Sequence, residues 1–253
     1  MLVPGLCSIT YRQLDVDGVL ELAAAAGLSC VEWGGDVHVP VGDVATAADV
    51  ARRTADAGLA VASYGSYHRA GVHDDADAVI ATATALGAPR IRVWAGDQGS
   101  GEASPVDRLR VVASLAETVR RAHDAGVEIG TESHGGTLTD TTDSTRRLLA
   151  EVDELVGART LTTYWQPSVD AGEDAAIAEL AALVDRVSTV HAFSWWPGTT
   201  RLPLRSRHSL WHRAFELVRA AGGDHDVLLE FVPGDDPDLL AGEAATLRGW
   251  LNP

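Results

Sequence analysis

The 253 residues match the roughly 250 typical of an eight-fold β/α barrel. Hydrophobic residues at 46% and charged residues at 22% supply a large core and give no sign of disorder. Twenty Lys+Arg against 36 Asp+Glu leave a formal net charge of −16. That balance speaks against a nucleic-acid partner, whose phosphates are gripped by clustered basic side chains. It still permits a small phosphorylated substrate held by one or two arginines.

The chain opens on a strand-like run over Leu2–Ile9 and a helical stretch over 16–26. Strands follow at Leu28–Trp33 and Leu59–Tyr64, with helices at 43–57 and 74–86. Arg90–Trp94 and Val127–Glu132 form the next strands, each trailed by a helix, at 105–125 and 140–153. Thr160–Gln166, Val187–Phe193 and Val227–Val232 complete the strands, with helices at 173–185, 208–221 and 238–251. Strict alternation of this kind implies right-handed βαβ crossovers and a parallel sheet. The expectation is therefore an α/β protein forming a single (β/α)₈ TIM barrel domain over 1–253. An open doubly wound sheet fits less well, because Gly34-Gly35-Asp36 lacks the GxGxxG spacing of a phosphate loop.

Punctuation along the chain agrees. Gly27, Gly58 and Gly126 stand where a left-handed residue would close a helix before the next strand. Ser104-Pro105 and Asp236-Pro237 read as N-caps followed by a first-turn proline. Cys7 and Cys30 lie in apolar runs and read as buried free thiols, which suits a reducing cytosol. No apolar run is long enough to span a bilayer, and no basic-then-apolar leader precedes Leu2. A cytoplasmic protein with no membrane partner is the expectation.

In such a barrel the chemistry sits at the C-terminal ends of the strands, and strand side chains alternate between interior and exterior. That phase turns Glu132 inward on the fifth strand, Gln166 on the sixth, His191 on the seventh and Glu230 on the eighth. Arg92 and Trp94 join from the fourth strand and Glu32 from the second. Each residue alone has a plain alternative: a solvated carboxylate, or a hydrogen-bonded core histidine. Gathered at one mouth they would repel and desolvate one another unless a cation or substrate compensated them. An oxygen-rich set with one imidazole suits one divalent ion, Mn²⁺, Mg²⁺, Co²⁺ or Zn²⁺. His134, His38 and Arg92 are candidate hydrogen-bond donors to substrate oxygens, although both histidines also fit plain surface roles. Trp94, Trp165, Trp195 and Trp196 lie near the same rim, where they would stack on a sugar or simply pack loops.

These segments resemble the xylose-isomerase-like superfamily of TIM-barrel sugar isomerases and epimerases. The likeness runs through Gly27–Glu32, Gly130–His134, Thr189–His191 and Leu228–Phe231. It implies that Glu132, His191 and Glu230 are metal ligands and that the two glutamates also move protons. It further implies a role in carbohydrate metabolism with a small sugar or polyol as partner, and is compatible with a homo-oligomer. The sixth strand departs from the family: Gln166 stands where Asp is usual, and Val169 where a histidine would follow. Gln166 can coordinate through its carbonyl but brings no charge and cannot act as a base.

The expected reaction is isomerisation or epimerisation of a ketose-like sugar or polyol through an enediolate, stabilised by the metal as a Lewis acid. One of Glu132 and Glu230 would remove the proton α to the carbonyl and the other return it. The alternatives are a lyase of the same superfamily that dehydrates a cyclic keto-polyol, or a non-catalytic binding subunit that has lost the strand-six aspartate.

Overall fold

The computed structural model describes residues 1–251, so the last two positions of the expected 1–253 domain lie outside the described residues. In chain order the first half runs β1 (Leu2–Cys7), α1 (Val16–Ala25), β2 (Cys30–Gly34), α2 (Val44–Asp56), β3 (Ala60–Arg69) and α3 (Ala76–Leu86). Then come β4 (Arg90–Trp94), α4 (Pro105–Asp124), β5 (Glu128–Glu132), α5 (Thr142–Val156), β6 (Thr162–Trp165) and α6 (Glu173–Leu183). The chain finishes with β7 (Val187–Ala192), β8 (Ser194–Trp195), β9 (Arg201–Leu202), α7 (His208–Ala221), β10 (His225–Leu229) and α8 (Leu240–Leu251). Eight strands close into a parallel barrel in the order β1-β10-β7-β6-β5-β4-β3-β2. The fold is thus an α/β TIM barrel, as the alternation of elements predicts. No helix among the described residues is long and apolar enough to cross a membrane.

The chain divides into two compact units. The first takes Met1–Trp33, Arg52–Ala62 and the chain from Trp165 onward. Its β1, β7 and β10 are parallel neighbours, with Gly5 opposite Leu228 and Leu228 opposite His191. Every residue of β7 is buried, the mark of a parallel strand covered on both faces. A methyl at Gly5 would fall 2.5 Å from Cys30 Sγ and 2.6 Å from Leu228 Cδ2, so only glycine lets these strands approach. Gly27 and Gly58 hold left-handed φ values of 69° and 74° and stop their helices as expected.

The second unit takes Gly34–Ala51 and Ser63–Tyr164. Arg92 lies opposite Gly130, and Glu132 opposite Tyr164. At Gly130 an added Cβ would meet the Tyr164 ring at 2.5 Å, so the glycine makes room for a buried aromatic beneath Glu132. Ser104 forms a full capping box with Asp107 at the start of α4, which satisfies two otherwise orphaned N–H groups.

Several boundaries differ from the sequence reading. β3 runs on to Arg69 rather than ending at Tyr64, through a register shift against β4 between Gly65 and Arg69. β1 stops at Cys7, where Ser8–Tyr11 turns into 3₁₀ helix. β10 ends at Leu229, which leaves Glu230 just past the strand. The hairpin β8–β9 is not foreshadowed by periodicity, since two-residue strands are too short to show one. Asp236 does cap, but it caps a 3₁₀ turn over Pro237–Leu239 rather than α8 itself.

Candidate active site

In the first unit the chemistry centres on His191, fully buried near the end of β7. Its Nδ1 lies 3.2 Å from Gln166 Oε1 and 3.5 Å from Glu230 Oε2. Its Nε2 faces the other way, 3.8 Å from Glu32 Oε1. Glu32 and Glu230 are 1% and 3% exposed, so two carboxylates and one imidazole share a space with little water. Charges held this way need compensation from one another or from a cation.

The spacing suits a metal ion. Cis ligands of an octahedral ion with bonds of about 2.1 Å stand about 3 Å apart. The Gln166 and Glu230 oxygens keep nearly that distance from His191 Nδ1. Two oxygens and an imidazole nitrogen form a donor set that hard and borderline divalent ions accept. Glu32 lies behind the far ring nitrogen at 3.8 Å, beyond hydrogen-bond reach, and adds a second negative charge beside the imidazole.

Cys7 lies beside this cluster, with Sγ 3.8 Å from Glu32 Oε1. Burial pushes its thiol up to about 12, partly offset by His191 and reinforced by Glu32. It is therefore a neutral thiol at ordinary pH, and it is free, as is Cys30.

In the second unit the centre is Glu132, 4% exposed at the end of β5. Its Oε2 accepts from Arg92 Nη1 in a buried ion pair, and from Trp94 Nε1 at 2.6 Å. These charge-assisted bonds pin the carboxylate's orientation. Around them, Tyr67 meets Trp94 edge-on at 5.2 Å between centroids, and His134 lies over Trp94 at 4.6 Å. The Arg92 guanidinium stands 5.5 Å from the Tyr67 ring.

The remaining sequence candidates fall unevenly. His38 is not a surface histidine but is buried, at 5% exposed, in the turn after β2 that Tyr64 anchors by donating to Val39 O at 2.8 Å. His134 keeps a local bond, Nδ1 to Gly135 O at 2.6 Å. Trp165 packs edge-on against Trp211 of α7, 6.1 Å between centroids, and so belongs to the helix-facing core rather than the rim. Trp195 joins Phe193 and Phe231 in an aromatic cluster. Trp196 is exposed, with the Arg207 guanidinium 5.4 Å from its ring.

Three residues of these surroundings escaped the sequence reading: Cys7, Tyr67 and Arg69. Tyr67 and Arg69 lie beyond the strand end that alternation suggests. Tyr67 adopts φ 58°, an uncommon conformation for a bulky residue that breaks the alternation. Cys7 did stand out as a buried thiol, but its neighbour on β2 was invisible in one dimension.

The chain belongs to the xylose isomerase-like TIM barrel family, whose model matches residues 20–248. Among solved structures it is similar to the probable 3-DHS dehydratase AsbF of Bacillus anthracis. The identity is 19%, covering 98% of this chain and 99% of that one, with a TM-score of 0.79. It is similar also to an L-ribulose 3-epimerase, at 19% identity over 99% of this chain and 95% of that one, TM-score 0.69. A third is a xylose isomerase-like TIM barrel protein from Mycobacterium smegmatis in complex with magnesium. Its identity is 15%, over 93% of this chain and 87% of that one, with a TM-score of 0.68. None of the curated proteins compared matches the chain. At these identities the solved structures speak for the fold.

Proposed function

We propose that the chain, acting as one domain over 1–253, is a cytoplasmic isomerase or epimerase. Its substrate would be a small ketose-like sugar or polyol, with Glu132 and Glu230 moving the protons. The observation that carries this reading is the cluster of Gln166 and Glu230 around His191 Nδ1, with Glu32 behind Nε2. Glu132, Gln166, His191 and Glu230 would hold one divalent ion. When bound, that ion would supply Lewis-acid polarisation of a carbonyl and so acidify the carbon beside it.

The chain's own residues have separate tasks. Glu132, oriented through Oε2 by Arg92 and Trp94, takes or returns the proton on the α carbon. Glu230, just past the end of β10, performs the opposite transfer. Glu32, 3.8 Å from His191 Nε2, would contact a substrate hydroxyl from the second strand. His134 and Trp94 would form a wall against which the substrate lies. The sequence contains no lysine, so carbonyl activation through a Schiff base is closed to this chain.

The test is to incubate Mn²⁺-loaded protein with a panel of ketoses and cyclic keto-polyols in D₂O and follow products by NMR and mass. The expected result is an epimer or isomer carrying one solvent deuteron at the reacting carbon. A product lighter by one water would reassign the protein to the lyases of its superfamily. No exchange into any panel member, with metal bound, would return it to the class of binding subunits.

A further inference from the structure

We propose that Arg69 is the anion-binding residue of this site, and that the substrate therefore carries a carboxylate or phosphate. The inference rests on the reading of Glu132 as a proton-moving group and adds the substrate class to it.

The register shift in β3 brings Arg69 opposite Trp94, one strand over. Its guanidinium lies 4.2 Å from the Trp94 ring centroid, and Nη1 donates to Gly96 O at 3.1 Å. Arg69 covers a face of the indole whose Nε1 edge donates to Glu132 Oε2. One indole thus contacts both Arg69, on its face, and the carboxylate that would meet the reacting carbon, at its N–H.

Arg69 differs from the arginines around it. Arg92 is paired with Glu132, Arg90 with Glu128, Arg108 with Glu151 and Arg121 with Asp77. Among the described residues no carboxylate pairs with Arg69. In a chain with 36 acidic groups and a net charge of −16, a half-buried guanidinium without an acid is conspicuous. Stacking on an aromatic face and one backbone carbonyl compensate part of its desolvation, and its remaining N–H donors suit a planar or tetrahedral anion. The chain's overall field repels anions, so an anionic substrate needs a local cation of this kind. Held there, the anionic group would stand a few bonds from the carbon facing Glu132, as in a cyclic keto acid or a ketose phosphate.

Matched ligand pairs test the idea without turnover. Calorimetry with Mg²⁺ present would compare shikimate with its uncharged methyl ester, and fructose 6-phosphate with fructose, on wild type, Arg69→Gln and Arg69→Lys. The expected result is that one charged member binds at least about tenfold tighter than its neutral partner. Arg69→Gln should erase that preference, and Arg69→Lys should keep part of it. The pair that shows the preference identifies carboxylate or phosphate. Absence of a preference in both pairs, or one that persists in Arg69→Gln, overturns the proposal. If Arg69 governs anion binding but no substrate exchanges protons in D₂O, the isomerase reading falls and the anion site stands. Melting temperatures of the variants separate lost recognition from lost fold.

Discussion

Glu132 closes β5 and Glu230 lies one residue past β10; both are almost wholly buried, yet their companions differ. Glu132 has a guanidinium and an indole N–H on one oxygen. Glu230 has the imidazole of His191 and, beside that, the amide of Gln166. A guanidinium is charged at every pH the protein meets, whereas an imidazole changes its charge near neutrality. The compensating charge of Glu132 is therefore built in. Beside Glu230 the contacts above set an amide and an imidazole, a donor set that a divalent cation would complete. Glu132 is thus held in one orientation by its own unit, and Glu230 is not held by a fixed cation in the contacts described above.

The largest effect that sharpens this contrast should come from removing either carboxylate. Glu132→Gln and Glu230→Gln are each expected to reduce turnover by about 10²–10⁴-fold or more, read as deuterium exchange on a demonstrated substrate. The two should part on metal affinity, with Glu230→Gln losing more. Near-normal exchange in either variant would break the two-glutamate scheme.

Next comes stability. Arg92→Met leaves Glu132 buried beside a thioether, and loss of one member of a buried ion pair costs about 3–5 kcal/mol. Urea unfolding would show it as a lower midpoint with an unchanged slope. A variant as stable as wild type would mean that the built-in charge is not what holds Glu132.

Gln166→Asp should tighten Mn²⁺ binding on the order of tenfold, because a third anionic oxygen joins the set and affinity follows ligand charge. Titration of metal-stripped protein measures this. Unchanged or weaker binding would show that Gln166 does not ligate, or that aspartate is too short to reach where Gln166 Oε1 lies.

The smallest effect lies away from the mouth. Glu243 is held above the usual carboxylate range, first by burial and against the N–H of Leu204, which donates to its Oε2 at 2.6 Å. A folded-state value above the unfolded one favours the neutral form in the fold. The wild type thus keeps that contribution below the unfolded value and loses it as pH rises through the folded one. Glu243→Gln should match wild type near pH 4 and exceed it slightly at pH 7, provided that its amide oxygen keeps the Leu204 bond. Melting curves at the two pH values check the sign.

Much of the barrel is legible in one dimension because its signals are local. Gly27, Gly58 and Gly126 end helices by their own φ angles, and the Ser104 box needs only three neighbours. Strand alternation likewise puts Arg92, Trp94 and Glu132 on one face, and the hydrogen bonds agree. What alternation could not supply is anything that breaks it. Tyr67 at positive φ and the register shift before Arg69 undo the period of two that would have exposed them. Trp165 misled for a related reason: its neighbour in the sequence, Gln166, approaches His191, while the indole itself turns to Trp211. Glu32 was legible as an inward carboxylate, but not as a neighbour of the far nitrogen of His191 at 3.8 Å, since that depends on how one ring is turned.

The arginine ion pairs, from Arg92–Glu132 inward to Arg213–Asp174 outward, have a consequence for alkaline solution. Without lysine the cations of these pairs are guanidiniums, which stay charged through mild alkali. Both thiols and two of the four tyrosines are also displaced, with Cys7 at about 12 and Cys30, Tyr11 and Tyr64 all raised by burial. The charge of the molecule then changes less across mild alkali, and its electrophoretic mobility should move less than that of a lysine-rich barrel of the same size, which would drift steadily toward the anode.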